Sequence, residues 1–562
     1  MSWAGLDVGS TSCKAVAFDD AGRELALASR EYPVLSPREG WAEIDSSRVA
    51  ADCLGVIREV AARVRRDRIR GLGISSQGEA FTPVDGKGRI LGNAMLSFDT
   101  RAARIAESWS RGFGRKKLYR ITGHTAHPMF SLFKLLWLRK NAPAVWSRAR
   151  KFLCFEDLLH HELGLDPAMS WPMAGRTMLF DVLRHDWDDR ILRAAGVSRG
   201  RLARTVSSGT IVGEIPAATA KSLGLAAGVP VVAGGHDQTC AALGVGITGP
   251  GRGMYATGTT ECICPAFSRP RFTDELFDSN LCTYDYTVKG MYTTVAFSLT
   301  GGNILHWFRN EFGREEIKEA SRKRVSPYEV ILRQLPADPT RLLVLPYFTP
   351  SGTPYFDTRT PGAILGLRLS TTRGEILRAL LEGVAFEMRL NIEILDRAGC
   401  SIRELLASGG GARNRAWTQL KADVMGKPIT TVRASQAGCL GAAMLARSAV
   451  TGVPLRRLAK EMVRTGGVIH PNPKRAAFYR ERFSEYRALY PALCDLTASK
   501  ETHGTKTPAR KSKADATRAL EALRAMPGRP VKYCDSRAEA RIIKAVKRTR
   551  EEIWRGKIAA RS

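Results

Sequence analysis

Short apolar runs separated by glycine-rich turns open the chain. Residues 3–9 and 14–19 read as two strands joined by the tight Gly9-Ser10-Thr11-Ser12 turn, and Asp20-Ala21-Gly22-Arg23 supplies the next hairpin turn. Apolar residues then recur at helical spacing over 47–64, and a buried strand follows at 69–74. The same order begins again further on: residues 253–257 lead into Gly258-Thr259-Thr260 and a second apolar strand at 262–266. Two copies of strand, Gly/Thr turn and strand predict duplicated α/β units facing each other, although the copies do not match by identity. Residues 371–398 predict a long amphipathic helix with Leu377, Leu381, Val384 and Met388 on one face. A short strand at 405–408 runs into Gly409-Gly410-Gly411, with a helix from about Asn414. Phe478, Tyr479, Phe483, Tyr486 and Tyr490 recur at helical spacing, which predicts packing of a C-terminal helix.

Three regions follow from this pattern: 1–246, 247–495 and 496–562. The last opens with a polar, basic stretch at 498–515 that reads as a flexible linker. Beyond it, 516–526 and 536–558 have helical spacing on either side of Pro527-Gly528-Arg529-Pro530.

Charge changes the picture at this end. The chain of 562 residues carries a formal net charge of +31. Between Lys500 and Ser562 there are 18 Lys and Arg against seven Asp and Glu, so +11 of the excess lies in the tail. Such a tail suits nonspecific contact with the phosphate backbone of nucleic acid, and a solvated basic helix without a partner accounts for it as well. Sequence-specific DNA reading is not supported. The arginines scattered through the body match a generally basic composition and name no partner. No apolar run approaches the roughly 20 residues that span a bilayer, and the first residues lack the pattern of a secretory signal. Eleven cysteines without a CxxC pair suit reduced thiols, and a cytoplasmic protein with no membrane partner is expected. The nine histidines show no metal-ligand spacing.

The turns carry the candidate chemistry. A phosphate-binding hairpin needs glycine for close backbone approach, exposed N–H groups, hydroxyls and a nearby cation. Ser10, Thr11, Ser12 and Lys14 supply the last two, and Asp7 at the strand end is placed to hold magnesium through water. An ordinary hairpin turn is the plainer alternative. Gly258 and Thr259 repeat this chemistry. Gly410 and Asn414 belong to a glycine turn that lets adenine or ribose approach the backbone. In Gly234-Gly235-His236-Asp237-Gln238-Thr239, the aspartate falls at a helix start, where it can accept a hydroxyl proton, cap the helix, or do both.

In order, LDVGSTSCKAVAFD, GWAEID, GISSQGE, FDTR, GGHDQTCAALG, ATGTTE, GGNILHWF, GLRLSTTRGEILRALLEGVAF and SGGGARN resemble the FGGY carbohydrate kinases over residues 3–495. The resemblance implies two ribonuclease-H-like α/β domains of the actin-like ATPase type flanking a central cleft. It implies ATP and Mg2+ as cofactors and phosphorylation of a small sugar or polyol. Asp237 then matches the catalytic base, and Ser10, Thr11, Ser12 and Lys14 the first phosphate loop, with Asp7 toward magnesium. Thr259 matches the second phosphate loop with Gly258 beside it, Gly302 a glycine near the nucleotide, and Gly410 and Asn414 the adenosine site. Gln77, Glu79, Asp99, Asp237 and Gln238 are expected to bind acceptor hydroxyls.

The acceptor segment departs from familiar members. Xylulokinases resemble GQMHG where this chain has Ser76-Gln77-Gly78-Glu79-Ala80, so their histidine is absent. Glycerol kinases resemble NQRE, so Gln77 and Glu79 fit while Gly78 replaces the arginine. That replacement is expected to enlarge the pocket and remove a donor fork. The family tyrosine falls at Met129 and the tryptophan at Ser97. A structural ion pair with Arg101 is the alternative for Glu79 and Asp99. A catalytically inactive sugar and ATP sensor, contacting nucleic acid through its basic tail, is the competing reading of the whole chain. A chaperone-type ATPase fits poorly, because no peptide-binding segment is recognisable. The oligomeric state stays open, a homodimer among the options.

Overall fold

The computed structural model describes residues 1–498. The expected linker and helices of the basic tail lie outside these. Ser2–Val8 (β1), Ser12–Phe18 (β2) and Glu24–Glu31 (β3) form an antiparallel meander. Helix α1, Ser46–Arg63, follows, its first turn capped by the Asp45 carboxylate, which accepts from the N–H groups of Ser47 and Arg48. Ile69–Ser76 (β4) then pairs parallel to β1. The short helix α2, Trp171–Gly175, precedes Ile211–Glu214 (β5) and Pro230–His236 (β6). Strand β6 lies parallel to β4, and β5 closes the edge antiparallel, giving the order β5-β6-β4-β1-β2-β3. Helix α3, Asp237–Gly244, leaves the end of β6.

The second half repeats this plan. Arg252–Thr257 (β7) and Glu261–Phe267 (β8) form a hairpin, extended by Tyr284–Asp285 (β9), Tyr292–Thr293 (β10) and Ala296–Ser298 (β11). Helix α4 is Gly302–Phe312 and α5 is Arg373–Arg397. Glu404–Ser408 (β12) pairs parallel to β7, and α6, Arg415–Met425, leads to Ile429–Val432 (β13), parallel to β12. Helix α7, Ala437–Thr451, is followed by the antiparallel edge strand Thr465–Ile469 (β14) and helix α8, Pro473–Ala498. Both sheets thus run as an antiparallel hairpin, two parallel crossovers and an antiparallel edge. This is the duplicated α/β arrangement that the strand and turn pattern predicts.

Helix α5 keeps its expected face, with Leu377, Leu381, Val384 and Met388 all buried, but it is covered almost all round. Its start is a capping box: Thr372 Oγ1 accepts from Glu375 N–H, and the Glu375 carboxylate accepts from Thr372 N–H at 2.8 Å. The C-terminal aromatics supply one side of the cover, and α4, α6 and β11 pack against the helix as well. Phe483 and Tyr486 stack on Phe386 at 6.1 and 5.1 Å between ring centroids, and Tyr479 donates to the buried Glu382 carboxylate at 2.6 Å.

Helix α7 follows the second sheet's inner strands yet packs on the first sheet. Cys439, Leu440, Ala443, Met444 and Leu445 share one core with Trp3, Val16, Phe18, Val232 and Leu243. Glycines permit the approach. A Cβ on Gly5 would overlap the Cys439 carbonyl, one on Gly73 the Ala442 carbonyl, and one on Gly441 the Cys240 carbonyl of α3. Gly441→Ala is therefore expected to destabilise the protein by about 3 kcal/mol despite alanine's better helix propensity. The same change at Gly55, a helix position with open space around it, should stabilise by up to about 1 kcal/mol. Urea unfolding of both variants checks the contrast.

Candidate active site

The hairpin between β1 and β2 closes by a hydrogen bond from Gly9 N–H to the Ser12 carbonyl at 2.9 Å. The hairpin between β7 and β8 closes one residue tighter, from Gly258 N–H to the Thr260 carbonyl at 3.1 Å. Ser10 from the first turn and Thr260 from the second line one cavity of about 350 Å³, together with Asp237. The strand register sets Asp7 opposite Lys14. Asp7 accepts from Ser75 Oγ at 2.7 Å, and burial raises its carboxyl above the usual range while Lys14 opposes the shift.

Asp237 is the first residue of α3, and His236 rather than Asp237 holds the capping position. Its carboxyl is pushed up to about 7, first by burial and then by the negative charges of Asp7 and Glu79. His236 Nε2 lies 3.2 Å from Asp237 Oδ1 without completing a hydrogen bond, so among the described residues this oxygen has no donor. Tyr284 of β9 stands 3.0 Å from His236 Nδ1 through its hydroxyl. Burial, and then the neighbouring Arg176, drives the pKa of His236 well below that of a free imidazole, so the ring is neutral.

Gln77, Glu79 and Gln238 also line the cavity. Gln77 donates its amide to the Gly9 carbonyl at 3.1 Å, which ties the acceptor segment to the first turn. Gln238 Oε1 accepts from the Cys262 thiol at 2.9 Å. Glu79 adopts a left-handed backbone, φ 65°, and its carboxylate accepts from Arg176 Nε at 2.5 Å. Arg176 lies at the end of α2, 7% exposed, and its Nη1 is 3.2 Å from His124 Nε2.

Three expectations need correction. Asp99 does not line the cavity: its two oxygens are held by Arg101 at 2.6–2.9 Å and by the Ala42 N–H at 2.7 Å. Arg101 lies 3.7 Å over the Trp41 ring and also reaches Glu43, so this is the buried structural pair that the sequence left as the alternative. Glu79 does form an ion pair, but with Arg176 and not Arg101. Gly78 does not simply enlarge the pocket, because a Cβ there would stand 3.1 Å from both the Arg176 side chain and the His236 ring. The space beside Gly78 is filled by an arginine from another segment. Arg176, His124 and His236 were missed in the sequence; the one signal for Arg176 was a lone cation inside the apolar run Pro172-Met173-Ala174-Gly175-Arg176-Thr177-Met178-Leu179-Phe180.

The nucleotide-side residues are divided. Gly302 N–H donates to the Gly258 carbonyl at 2.8 Å, so Gly302 buttresses the second turn. Gly410 lines a second cavity of about 610 Å³, with Arg413, Arg415, Arg433 and Ser435 on its walls. Asn414 caps α6 by accepting from Trp417 N–H at 2.9 Å and does not line that cavity. Among the described residues no cluster of three His, Cys, Asp or Glu could hold a metal by itself. No helix among them is long and apolar enough to cross a membrane.

Known proteins match this arrangement along most of the chain. The N-terminal domain model of the FGGY family of carbohydrate kinases matches residues 2–244, and the C-terminal domain model matches 253–450. The xylulose kinase of Bacillus subtilis (strain 168) is 26% identical over 498 residues, 88% of this chain and 98% of its own. The gluconokinase of the same strain is 25% identical, over 89% of this chain and 96% of its own. The crystal structure of gluconate kinase from Lactobacillus acidophilus superposes with a TM-score of 0.81 at 24% identity, covering 88% of this chain and 99% of that one, and so shares its fold. With both domain models satisfied, the chain belongs to the FGGY family of carbohydrate kinases.

Proposed function

We propose that the protein transfers the γ-phosphoryl group of ATP to a hydroxyl of a small sugar or polyol, with Asp237 as the base that takes the hydroxyl proton. The observation that carries this is the unpartnered Asp237 oxygen on a cavity that both glycine hairpins reach. A hydroxyl hydrogen-bonded to that oxygen would have its proton withdrawn as the phosphorus–oxygen bond forms. Ser10, Thr11, Ser12 and Lys14 of the first hairpin, with Gly258 and Thr259 of the second, would hold the phosphate oxygens through backbone N–H groups, hydroxyls and one ammonium. Gly410 would border the adenosine, and Gln77, Glu79 and Gln238 would bind acceptor hydroxyls.

Magnesium binding to nucleotides uses one or two protein carboxylates, water and the phosphates themselves, so a three-ligand protein cage is not required. Asp7 fits this role: it is half-buried, faces Lys14 across the hairpin, and adds to the negative potential felt by Asp237. The ion, when bound, would neutralise phosphate charge. The two relatives, a xylulose kinase and a gluconokinase, point to ketoses and sugar acids as the acceptors to test. Nothing in the structure or the relatives supports the inactive sensor.

Asp237→Asn is expected to lower kcat by at least about 1,000-fold while ATP binding, followed by calorimetry, survives. The base must be ionised to act, so kcat/KM should rise with pH and level off above about 7, where Asp237 loses its proton. Asp99→Asn should behave differently. It leaves the buried Arg101 to the Glu43 carboxylate and should cost about 2 kcal/mol of stability, with little change in the KM for the acceptor. Thermal melting and steady-state kinetics on that variant separate a structural from a substrate-binding role.

A further inference from the structure

The charge balance of the acceptor cavity restricts what can enter it. Among its described lining residues, Glu79 and Asp237 are the carboxylates and Arg176 is the guanidinium. The charge of that guanidinium is matched by a carboxylate: Nε and Nη2 both lie against Glu79, and Nη1 faces His124. His124 and His236 are buried and neutral, with His124 brought down to about 3 by burial and by the arginine beside it. Lys134 lies behind the wall, where its ammonium donates to the backbone carbonyls of Met95 at 3.1 Å and Glu79 at 3.4 Å, and Lys14, opposite Asp7 on the first hairpin, is not among the lining residues. The remaining polar wall is made of hydroxyls, amides and thiols, among them Ser10, Ser97, Thr260, Gln77, Gln238 and Asn280. Its apolar side chains include Met129, Phe130, Phe297 and Phe356.

A carboxylate entering this cavity would find no uncommitted cation and would stand near Asp237 and Glu79. A hydroxyl meets the opposite situation, since it can donate to either carboxylate and accept from an amide or a serine. The placement of Glu79 is enforced from outside the cavity. Its left-handed backbone is unfavourable for a residue with a side chain, and Ser131 Oγ pins its carbonyl at 2.9 Å. Accordingly, we infer that the acceptor is an uncharged polyhydroxy compound, and that the Glu79–Arg176 pair excludes sugar acids by keeping the cavity's one guanidinium neutralised. The inference rests on the kinase reading above and adds the charge class of its substrate.

The test is ATP turnover by the full-length protein on two sets of acceptors. D-xylulose, L-xylulose, D-ribulose and xylitol form the neutral set; gluconate and 3-keto-L-gulonate form the acidic one. The best neutral acceptor should exceed the best acidic one in kcat/KM by at least about 100-fold. Glu79→Gln, with its fold checked by circular dichroism and melting, releases Arg176. It should shrink that ratio at least 10-fold, with the neutral acceptors losing and the acidic ones gaining. A sugar acid that matches or beats every neutral compound on the unmodified protein overturns the inference but leaves the kinase reading standing. An unchanged ratio in folded Glu79→Gln removes the pair as the excluding element. Failure of every compound in both sets, with ATP bound, overturns the kinase reading and the inference with it. If the variant does not fold, the ratio on the unmodified protein decides alone.

Discussion

Backbone-to-backbone contact between helices α3 and α7, and between α7 and the first sheet, is the constraint on which the rest depends. Gly441 meets the Cys240 carbonyl, Gly244 meets the Ala437 carbonyl, and Gly5 and Gly73 admit the carbonyls of Cys439 and Ala442. Helices usually pack 8–10 Å apart because side chains intervene. Here the side chains are absent at the points of contact. Asp7 shares the same geometry, since a Cβ on Gly438 would stand 2.9 Å from its carboxylate. The start of α3, and therefore Asp237, is positioned by the same packed layer.

Around that layer the electrostatics divide into two kinds of pair. Asp99–Arg101 is closed, with every carboxylate oxygen answered by the arginine or by backbone and an aromatic ring covering the cation. Such a pair organises its surroundings and offers nothing to a ligand. Asp237 is the reverse case. Burial and two neighbouring carboxylates lift its pKa toward neutrality, and one oxygen is left without a donor. Perturbed carboxyls of this kind collect at functional sites because both burial and like charge raise the energy of the ionised form.

What could be read in the sequence is what the local backbone requires. A strand ending in Asp7, a Gly9–Ser12 hairpin and an aspartate entering a helix each demand particular residue types within a few positions, and all are where the pattern puts them. The long helix and its aromatic cover were legible for the same reason. Contacts made at long range were not. Arg176 pairs with Glu79 across 97 positions, and its segment reads as plain core apart from the one cation. Gly78 was misread because the volume it vacates is taken by a side chain that only the fold brings there. Asn414 carries a residue type that suits a helix cap as well as a ribose, and the structure shows the cap.

The path of α7 bears on how such proteins can be recombined. In sequence, the boundary between the repeats lies near the end of α3, and a chimaera of two relatives would ordinarily be cut there. Residues 437–462 nevertheless pack in the core of the first sheet, with Leu458 and Met462 buried beside Phe18 and Trp3. A joint placed only between the repeats would mate a foreign helix to glycine notches shaped for another. The unit of exchange is discontinuous: a first half together with the segment that returns to it some 190 residues later.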